Sequence, residues 1–289
     1  MFLRGEFVRN VLLSMCYDGT NYHGWQIQKN ALTVQEVFQN ALLKILNEDV
    51  DIKGCSRTDS GVHANMYCIS VKINSNIPCE RLKMAMNRFL PKDIAIKNVA
   101  EVPMDFHARY SCRGKEYIYK IWNKQVRNPF LHGRAFHYWY KIDVGKLNLA
   151  AKNFIGTHDF TLRLYAHFTY VPLDVEKMQK AADYLVGEHD FKSFCSVNTV
   201  AETTVRTLYS LKVSKDGDMI TIRVTGSGFL YNMVRIMVGT LLSVSMGKIS
   251  PSEIKGIIEA KNRAKAGPTA VAYGLYLNKV FYDSVNFDN

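Results

Sequence analysis

Three stretches in the first hundred residues have the hydrophobic pattern of β-strands. Residues 7–17, FVRNVLLSMCY, are a mostly apolar run that ends at the turn-forming pair Asp18-Gly19. Residues 67–73, YCISVKI, alternate between apolar and polar positions, as a half-buried strand does. Residues 94–102, IAIKNVAEV, are the third such stretch.

Two segments between these strands have helical spacing. Thr33 and Glu36 stand three positions apart, as in a capping box, and the apolar residues of 34–46 fall on one stripe. A second helix is predicted from Pro78, with three side chains facing inward: Leu82, Met86 and Phe89. Strands with helices packed on one face predict an α+β unit.

The rest of the chain repeats this style. Strands are predicted at 116–122, 205–213, 219–226 and 274–282, and helices at 231–246 and 251–259. In the strand VRTLYSLKV, alternation puts Arg206 on one face and the following residues on the other: Val205, Thr207, Tyr209, Leu211 and Val213. We therefore expect an α+β protein of two similar halves, 1–103 and 104–289, each a mostly antiparallel sheet flanked by helices.

One internal repeat lies in the second half. Residues 135–160 align without gaps to residues 166–191, an offset of 31, and ten of the 26 aligned positions are identical. Each copy has the pattern of an amphipathic helix that begins after an Asp and ends at a glycine. Two copies are too few for a solenoid, so the pattern indicates a tandem duplication of one helical unit.

The charge balance favours a polyanionic partner. The 289 residues carry 37 Lys and Arg against 26 Asp and Glu, a net charge of +11. Such an excess favours phosphate-rich partners, because neutralising phosphates releases counterions. A solvated basic surface is the alternative, since net charge does not show how the charges cluster.

The cysteines and the apolar segments point to the cytoplasm. The six cysteines form no Cys-x-x-Cys pair, and no Cys/His cluster has the spacing of a zinc site, so we expect free thiols and no metal. The N-terminus lacks the core of a signal peptide. The most apolar later segment, 228–247, contains Asn232 and Arg235 and is too polar to span a membrane.

The sequence GCSRTDSGVHA sets an arginine and a carboxylate in a run of small, turn-forming residues. In an extended segment Arg57 and Asp59 point to the same side and could share one cleft. A nearby arginine keeps a carboxylate ionised, as a nucleophile or general base requires. A surface ion pair beside a turn is the competing interpretation of this motif taken alone.

Together with other motifs, this stretch resembles the active-site motif of the tRNA pseudouridine synthase A family. The similarity runs along nearly the whole chain in the order of the family. It is carried by YDGTNYHGWQIQ (17–28), TVQ (33–35), GCSRTDSGVHA (54–64), RGKEYIYKIWN (113–123), HDFKSF (189–194), TTVRTLYSLKV (203–213), GSGFLYNMVRIMVGTL (226–241) and GPTAVAYGLYL (267–277).

The resemblance implies a pseudouridine synthase fold with an active-site cleft between the two halves, and roles for four residues of a catalytic site. Asp59 matches the catalytic aspartate, and Arg57 matches the arginine that helps to extrude the target nucleotide. Tyr117 matches the tyrosine that stacks on the flipped uracil, and Arg206 matches the basic residue that pairs with the aspartate. The same motifs imply a set of RNA-binding and substrate-binding residues: Tyr17, Tyr22, Trp25, Gln26, His63, Phe229, Leu230 and Arg235.

Several of these residues have a structural alternative. Tyr117 is equally a strand aromatic packed in a core, and Arg206 equally a solvent-facing strand residue. Tyr22 and Trp25 either stack on RNA bases or pack the loop. His63 fits a structural loop histidine better than a proton shuttle.

Arg235 is harder to explain as an ordinary structural residue. It lies inside an otherwise apolar predicted helix, where an unpaired buried guanidinium would be costly.

The resemblance implies a cytoplasmic homodimer that isomerises uridine to pseudouridine in tRNA, at positions 38 to 40 of the anticodon stem-loop. The reaction involves no redox change and no group transfer, so no cofactor is expected, and the target base must leave its stack. The competing hypotheses are a tRNA-binding or tRNA-folding protein without catalysis, and a synthase that acts on another RNA.

The chain departs from the family pattern in two places. Cys55 and Ser56 stand where the family usually has Ala and Gly, and both are small enough to keep the turn. The family pattern needs only one copy of the 31-residue unit, so about 134–164 is predicted to be an inserted duplicate of 165–195 that adds a helix to the second half.

Overall fold

A computed structural model describes residues 8–139, 173–196, 201–285 and 287. In these ranges ten strands form one mixed sheet in the order β4-β1-β3-β10-β5-β9-β8-β7, with β2 paired to β3 and β6 paired to β5. The strands are β1 (Val8–Tyr17), β2 (Ile52–Gly54), β3 (His63–Asn74), β4 (Ile94–Val102), β5 (Gly114–Trp122), β6 (Phe136–His137), β7 (Gly187–Asp190), β8 (Val205–Asp216), β9 (Met219–Gly226) and β10 (Leu275–Phe281).

The last strand joins the two predicted halves. Strand β10 runs parallel to the start of β3, with Tyr276 opposite His63, and antiparallel to β5, with Leu277 opposite Tyr117. The remaining pairs are antiparallel except β5 with β6. The predicted α+β class with a mostly antiparallel sheet is therefore confirmed, while the boundary at residue 103 stays a prediction.

The helices in the described ranges are α1 (Val34–Leu46), α2 (Cys79–Phe89), α3 (Val175–Asp183), α4 (Met233–Ser245) and α5 (Glu253–Glu259). Thr33 caps α1 as predicted, because its hydroxyl accepts a hydrogen bond from the Glu36 amide. In α2, Leu82 and Met86 are fully buried, but the inward prediction for Phe89 is wrong, since its side chain is 48% exposed. The buried row continues instead to Leu90, four residues beyond Met86.

Strand β8 contains a β-bulge that the sequence pattern does not show. Leu208 pairs with Gly226 and Ser210 pairs with Thr225, so Tyr209 is an extra residue without a partner in the ladder. The bulge reverses the faces of the preceding residues: Tyr209 is exposed, whereas Leu208 and Leu211 are buried. The prediction of which β8 residues share one face is therefore correct after the bulge and wrong before it.

The two ends of the repeat region meet at one side chain. The Asn123 amide donates to the Tyr138 carbonyl at 2.9 Å, and its oxygen accepts from the Leu173 amide at 2.8 Å. Asn123 thus links the residue after β6, in the first copy, to the residues just before α3, in the second copy. The predicted helix of the first copy lies outside the described residues.

The predicted end of the second-copy helix differs from the structure. Helix α3 begins after Asp174, whose side chain caps it, but it ends at Asp183. Gly187 has the expected positive φ, at +110°, and starts strand β7 instead of closing the helix.

Candidate active site

A cleft of about 640 Å³ lies between the loop 55–62 and the C-terminal half. Strand β5 contributes Tyr117, strand β8 contributes Arg206, and the segment that starts α4 contributes Arg235. The lining contains one carboxylate, Asp59, and five basic side chains: Arg57, Arg109, Lys115, Arg206 and Arg235. A cleft with this excess of positive charge favours a polyanionic ligand.

The loop that carries Asp59 is fixed from the N-terminal side. The Tyr17 hydroxyl lies 2.8 Å from the Thr58 hydroxyl, and the Trp25 amide donates to the Thr58 carbonyl. Gly24 passes so close that a Cβ there would stand 2.4 Å from the Thr58 carbonyl oxygen. The Val62 amide in turn donates to the Asp59 carbonyl, closing a turn around the carboxylate.

His63 is a structural residue of this wall. Its Nδ1 accepts from the Gly19 amide at 3.0 Å, and its Nε2 lies within 3.0 Å of the Gly133 and Tyr273 carbonyls. The ring is buried, and this burial lowers the pKa of His63. A neutral imidazole with both nitrogens engaged fits the structural alternative and not a proton shuttle.

Three aromatic residues predicted to contact RNA are also part of the wall. Tyr17, Tyr22 and Trp25 are each no more than 5% exposed. Trp25 stacks on Tyr67 with ring centroids 4.3 Å apart, and the Tyr22 hydroxyl donates to Asp93. These contacts favour packing of the loop over stacking on bases. Gln26, in contrast, is exposed and lines the cleft.

Asp59 forms an ion pair with Arg235. The Asp59 Oδ2 lies 2.9 Å from the Arg235 Nη1, and the two side chains are only 24% and 18% exposed. The Arg235 Nε donates to the Ala270 carbonyl at 2.7 Å, and the Ala270 amide donates back to the Arg235 carbonyl. The Asp59 carboxylate therefore compensates for the cost of burying the Arg235 guanidinium in an apolar helix.

Asn232 is a site residue that the sequence reasoning did not predict. Its side-chain oxygen accepts from Arg235 Nη1 at 2.8 Å, and its amide donates to Ser196. The backbone of Asn232 is left-handed, with φ of +60°, a conformation that Asn tolerates better than most residues. An Asn directly before an apolar helix was the available signal.

Arg206 lies in the same cleft but not on the carboxylate. Its Nη1 donates to the Thr203 carbonyl at 2.9 Å and to the Val205 carbonyl at 2.6 Å. In the structure the ion-pair partner of Asp59 is therefore Arg235, whereas the resemblance implied Arg206. Because the bulge reverses the face of strand β8, Arg206 is directed into the cleft and leaves its guanidinium available to a ligand.

Tyr117 forms part of the cleft wall with its ring nearly buried. The ring meets Phe229 edge to face, with centroids 5.0 Å apart at 78°, and its hydroxyl lies 3.3 Å from the Ser56 hydroxyl. Burial raises the pKa of Tyr117 well above its ordinary value, so the phenol is neutral. Leu230 is buried beside the same wall.

Arg57 is the exposed cation of the loop. Its guanidinium makes no hydrogen bond or ion pair with any residue in the described ranges, although Asp59 is two positions away. The two residues therefore share one cleft, as predicted, without pairing with each other.

The described residues contain no group of three or more His, Cys, Asp or Glu side chains arranged to hold a metal ion. None of their helices is long and apolar enough to cross a membrane. All six cysteines lie in these ranges and are free thiols.

The sequence of the chain matches a family of RNA-modifying isomerases. A family model described as tRNA pseudouridine synthase matches residues 14–111 and 181–283. The chain belongs to this family of isomerases, as the sequence resemblance implied.

Curated relatives match almost from end to end. The chain is 46% identical over 276 residues to tRNA pseudouridine synthase A of Ruminiclostridium cellulolyticum, an alignment that covers 95% of this chain and 100% of the relative. It is 44% identical over 275 residues to the enzyme of the same name from Acetivibrio thermocellus, with the same coverage of both chains.

Proposed function

We propose that the protein converts uridine to pseudouridine in the anticodon stem-loop of tRNA, at positions 38 to 40, with Asp59 as the catalytic carboxylate. Membership of the tRNA pseudouridine synthase family supports isomerisation of uridine in tRNA. The positions rest on the resemblance of the sequence motifs, and the role of Asp59 rests on the geometry of the cleft.

The observation that carries the proposal is the Asp59–Arg235 ion pair in a cleft lined by four further cations. The reaction breaks the bond between uracil N1 and ribose C1′, forms a bond from C5 to C1′, and moves the hydrogen of C5 to N1. Because it is an isomerisation, no atom is gained or lost. The carboxylate attacks C1′ or C6, or removes a ribose proton, and each route requires its ionised form.

The remaining groups act on the flipped nucleotide. The target base must leave its stack, which costs a few kcal/mol. The exposed Arg57 guanidinium fills the space that the base leaves, and the Tyr117 ring forms one face of the uracil site with Phe229 at its edge. Arg235 keeps the carboxylate charged and correctly placed, since its own position is fixed by Ala270 and Asn232.

Replacing Asp59 with Asn tests this function. The isosteric amide removes the charge, so pseudouridine formation in a tRNA transcript should fall by at least about 1,000-fold while the tRNA dissociation constant changes by less than about threefold. Pseudouridine is mapped by chemical labelling and sequencing, and binding is measured by filter retention.

The controls separate the competing functions. Absence of activity in the unmodified protein, with tight tRNA binding, would favour the non-catalytic binder. Pseudouridine found in another RNA, and not in tRNA, would favour the alternative substrate. Activity retained in Asp59→Asn would remove the carboxylate from the mechanism.

The assembly and the extra repeat complete the proposal. The enzyme acts as a cytoplasmic homodimer, which light scattering on the purified protein would test.

The chain carries one surplus 31-residue unit. The contacts of Asn123 favour removal of residues 142–172 rather than 134–164, because Arg134, Phe136 and His137 belong to the described fold.

A further inference from the structure

A short turn beside the cleft presents a tyrosine ring to solvent. Tyr110 is 77% exposed and lies one residue after Arg109, which lines the cleft. An exposed tyrosine on a turn is ordinary by itself. Its surroundings are less ordinary, because both the turn and the ring are held by specific contacts.

The turn is fixed at its base and within itself. The Ala108 amide donates to the Ser70 hydroxyl at 2.9 Å, and the Tyr282 hydroxyl donates to the Ala108 carbonyl at 2.6 Å. The Ser111 amide donates to the His107 carbonyl at 2.9 Å. A ring carried on such a turn loses little conformational freedom when a ligand binds.

The ring has an aromatic neighbour and a cationic one. The His107 imidazole lies 4.4 Å from the Tyr110 ring centroid, at an interplanar angle of 40°. The Arg109 guanidinium lies 5.7 Å from the same centroid, within the range of a cation–π contact. This combination of an exposed ring and an adjacent guanidinium is the chemistry of a stacking platform for a nucleic-acid base.

The platform is continuous with the positive lining of the cleft. Arg109 shares that lining with Arg57 and Lys115. Phe130 is even more exposed, at 85%, but it does not line the cleft and no cation of the described residues lies over its ring. Tyr231 is 52% exposed and lines the cleft, but it too has no cation over its ring within the described ranges. The guanidinium over an exposed ring is therefore what distinguishes Tyr110 among the aromatic residues near the cleft.

We propose that Tyr110 stacks on an unpaired base of the RNA substrate while Arg109 contacts the adjoining phosphate. The site holds the nucleotides next to the one that enters the cleft. This inference rests on the proposed function for its substrate class but not for its chemistry, since stacking contributes to binding and not to the isomerisation.

Binding measurements on three variants test the platform. Stacking of one base contributes about 1–3 kcal/mol, so Tyr110→Ala should weaken binding of an unmodified tRNA transcript by about 5- to 100-fold. Tyr110→Phe keeps the ring and should bind within about twofold of the parent protein. Tyr184→Ala removes another exposed tyrosine, outside the cleft, and should leave binding unchanged.

All three variants are made in the Asp59→Asn background as well as in the parent. Loss of binding there is independent of turnover, so failure of the platform and failure of the catalytic proposal give different results. The single-turnover rate at saturating enzyme should be the same in Tyr110→Ala and the parent.

Parental affinity in Tyr110→Ala would overturn the proposal. Equal losses in Tyr110→Ala and Tyr110→Phe would also overturn it, because the hydroxyl and not the ring would then be the binding group. Thermal unfolding of each variant verifies that the surface substitution leaves the fold intact.

Discussion

The two walls of the cleft are built in different ways. On the N-terminal wall, the loop of Asp59 is held by buried hydrogen bonds and by backbone approaches too close for a side chain. The C-terminal wall carries three arginines, Arg109, Arg206 and Arg235, and of these Arg235 is the one that pairs with the carboxylate. The fixed wall positions the Asp59 carboxylate, and the more open wall presents positive charge to the cleft.

The contrast between Arg235 and Arg206 shows what pairing does. Arg235 has a partly buried partner, Asp59, and two further acceptors, so its position is set before any ligand arrives. Within the described residues, Arg206 donates through Nη1 to two carbonyls close to it in sequence, and its other N–H donors have no partner there and can bind a phosphate. A guanidinium of the first kind orients chemistry, whereas one of the second kind contributes affinity.

A pair of glycine substitutions tests the difference between the walls. A Cβ at Gly19 would lie 2.0 Å from the Val62 carbonyl oxygen, so Gly19→Ala must displace backbone on the fixed wall. We expect a loss of about 3 kcal/mol in the free energy of unfolding and a matching loss of activity. Urea unfolding gives the free energy.

Gly228→Ala is the matched control on the open wall. The nearest atoms to its added methyl group would belong to the Arg206 side chain, at 3.7 Å, an ordinary contact. The free energy of unfolding should change by less than about 1 kcal/mol. Equal losses in both variants would remove the distinction between the walls.

Removing residues 142–172 should have the smallest effect. The deletion joins Lys141 to Leu173 in the register of the repeat, and Asn123 bonds the backbone on both sides of the junction. Stability should stay within about 1 kcal/mol of the parent, because the chain length between two anchored ends changes the closure entropy only slightly. Pseudouridine formation should stay within about twofold.

Deletion of 173–203 provides the contrast, since it removes the same number of residues but takes helix α3 and strand β7 with it. This second deletion should not fold. Inactivity of the 142–172 deletion, with folding retained, would show that the surplus unit contributes to function.

The sequence predicted most elements of the fold because their signals are local. Strand β4 was predicted with the bounds that the structure has, and α1 begins after its predicted cap. The order of the strands was not predictable in the same way, because the pairing of β10 with β3 joins residues more than 200 positions apart. Such pairing depends on tertiary packing and not on the pattern of either strand.

The site was predicted in part for the same reason. Asp59 and Arg57 lie in one short motif, and the cost of an unpaired guanidinium marked Arg235. The side of strand β8 on which Arg206 lies depends on one inserted residue, Tyr209. The residue types before this β-bulge alternate as in a regular strand, so the sequence pattern does not reveal the bulge. For Tyr22 and Trp25 the sequence left two alternatives, stacking on RNA bases or packing of the loop, and their burial favours the second.

The central claim is that Arg235, and not Arg206, holds the Asp59 carboxylate, which we propose to be the catalytic group. The direct test is the single-turnover rate of pseudouridine formation at saturating enzyme, measured in parallel for Arg235→Met and Arg206→Met. The first should fall by about 100-fold or more, because the Asp59 carboxylate loses its partner. Arg206→Met should keep its rate within about threefold while its tRNA affinity falls. The slope of the logarithm of its tRNA binding constant against the logarithm of salt concentration should decrease by about the contribution of one phosphate contact. A large loss of rate in Arg206→Met, with little change in Arg235→Met, would contradict the account.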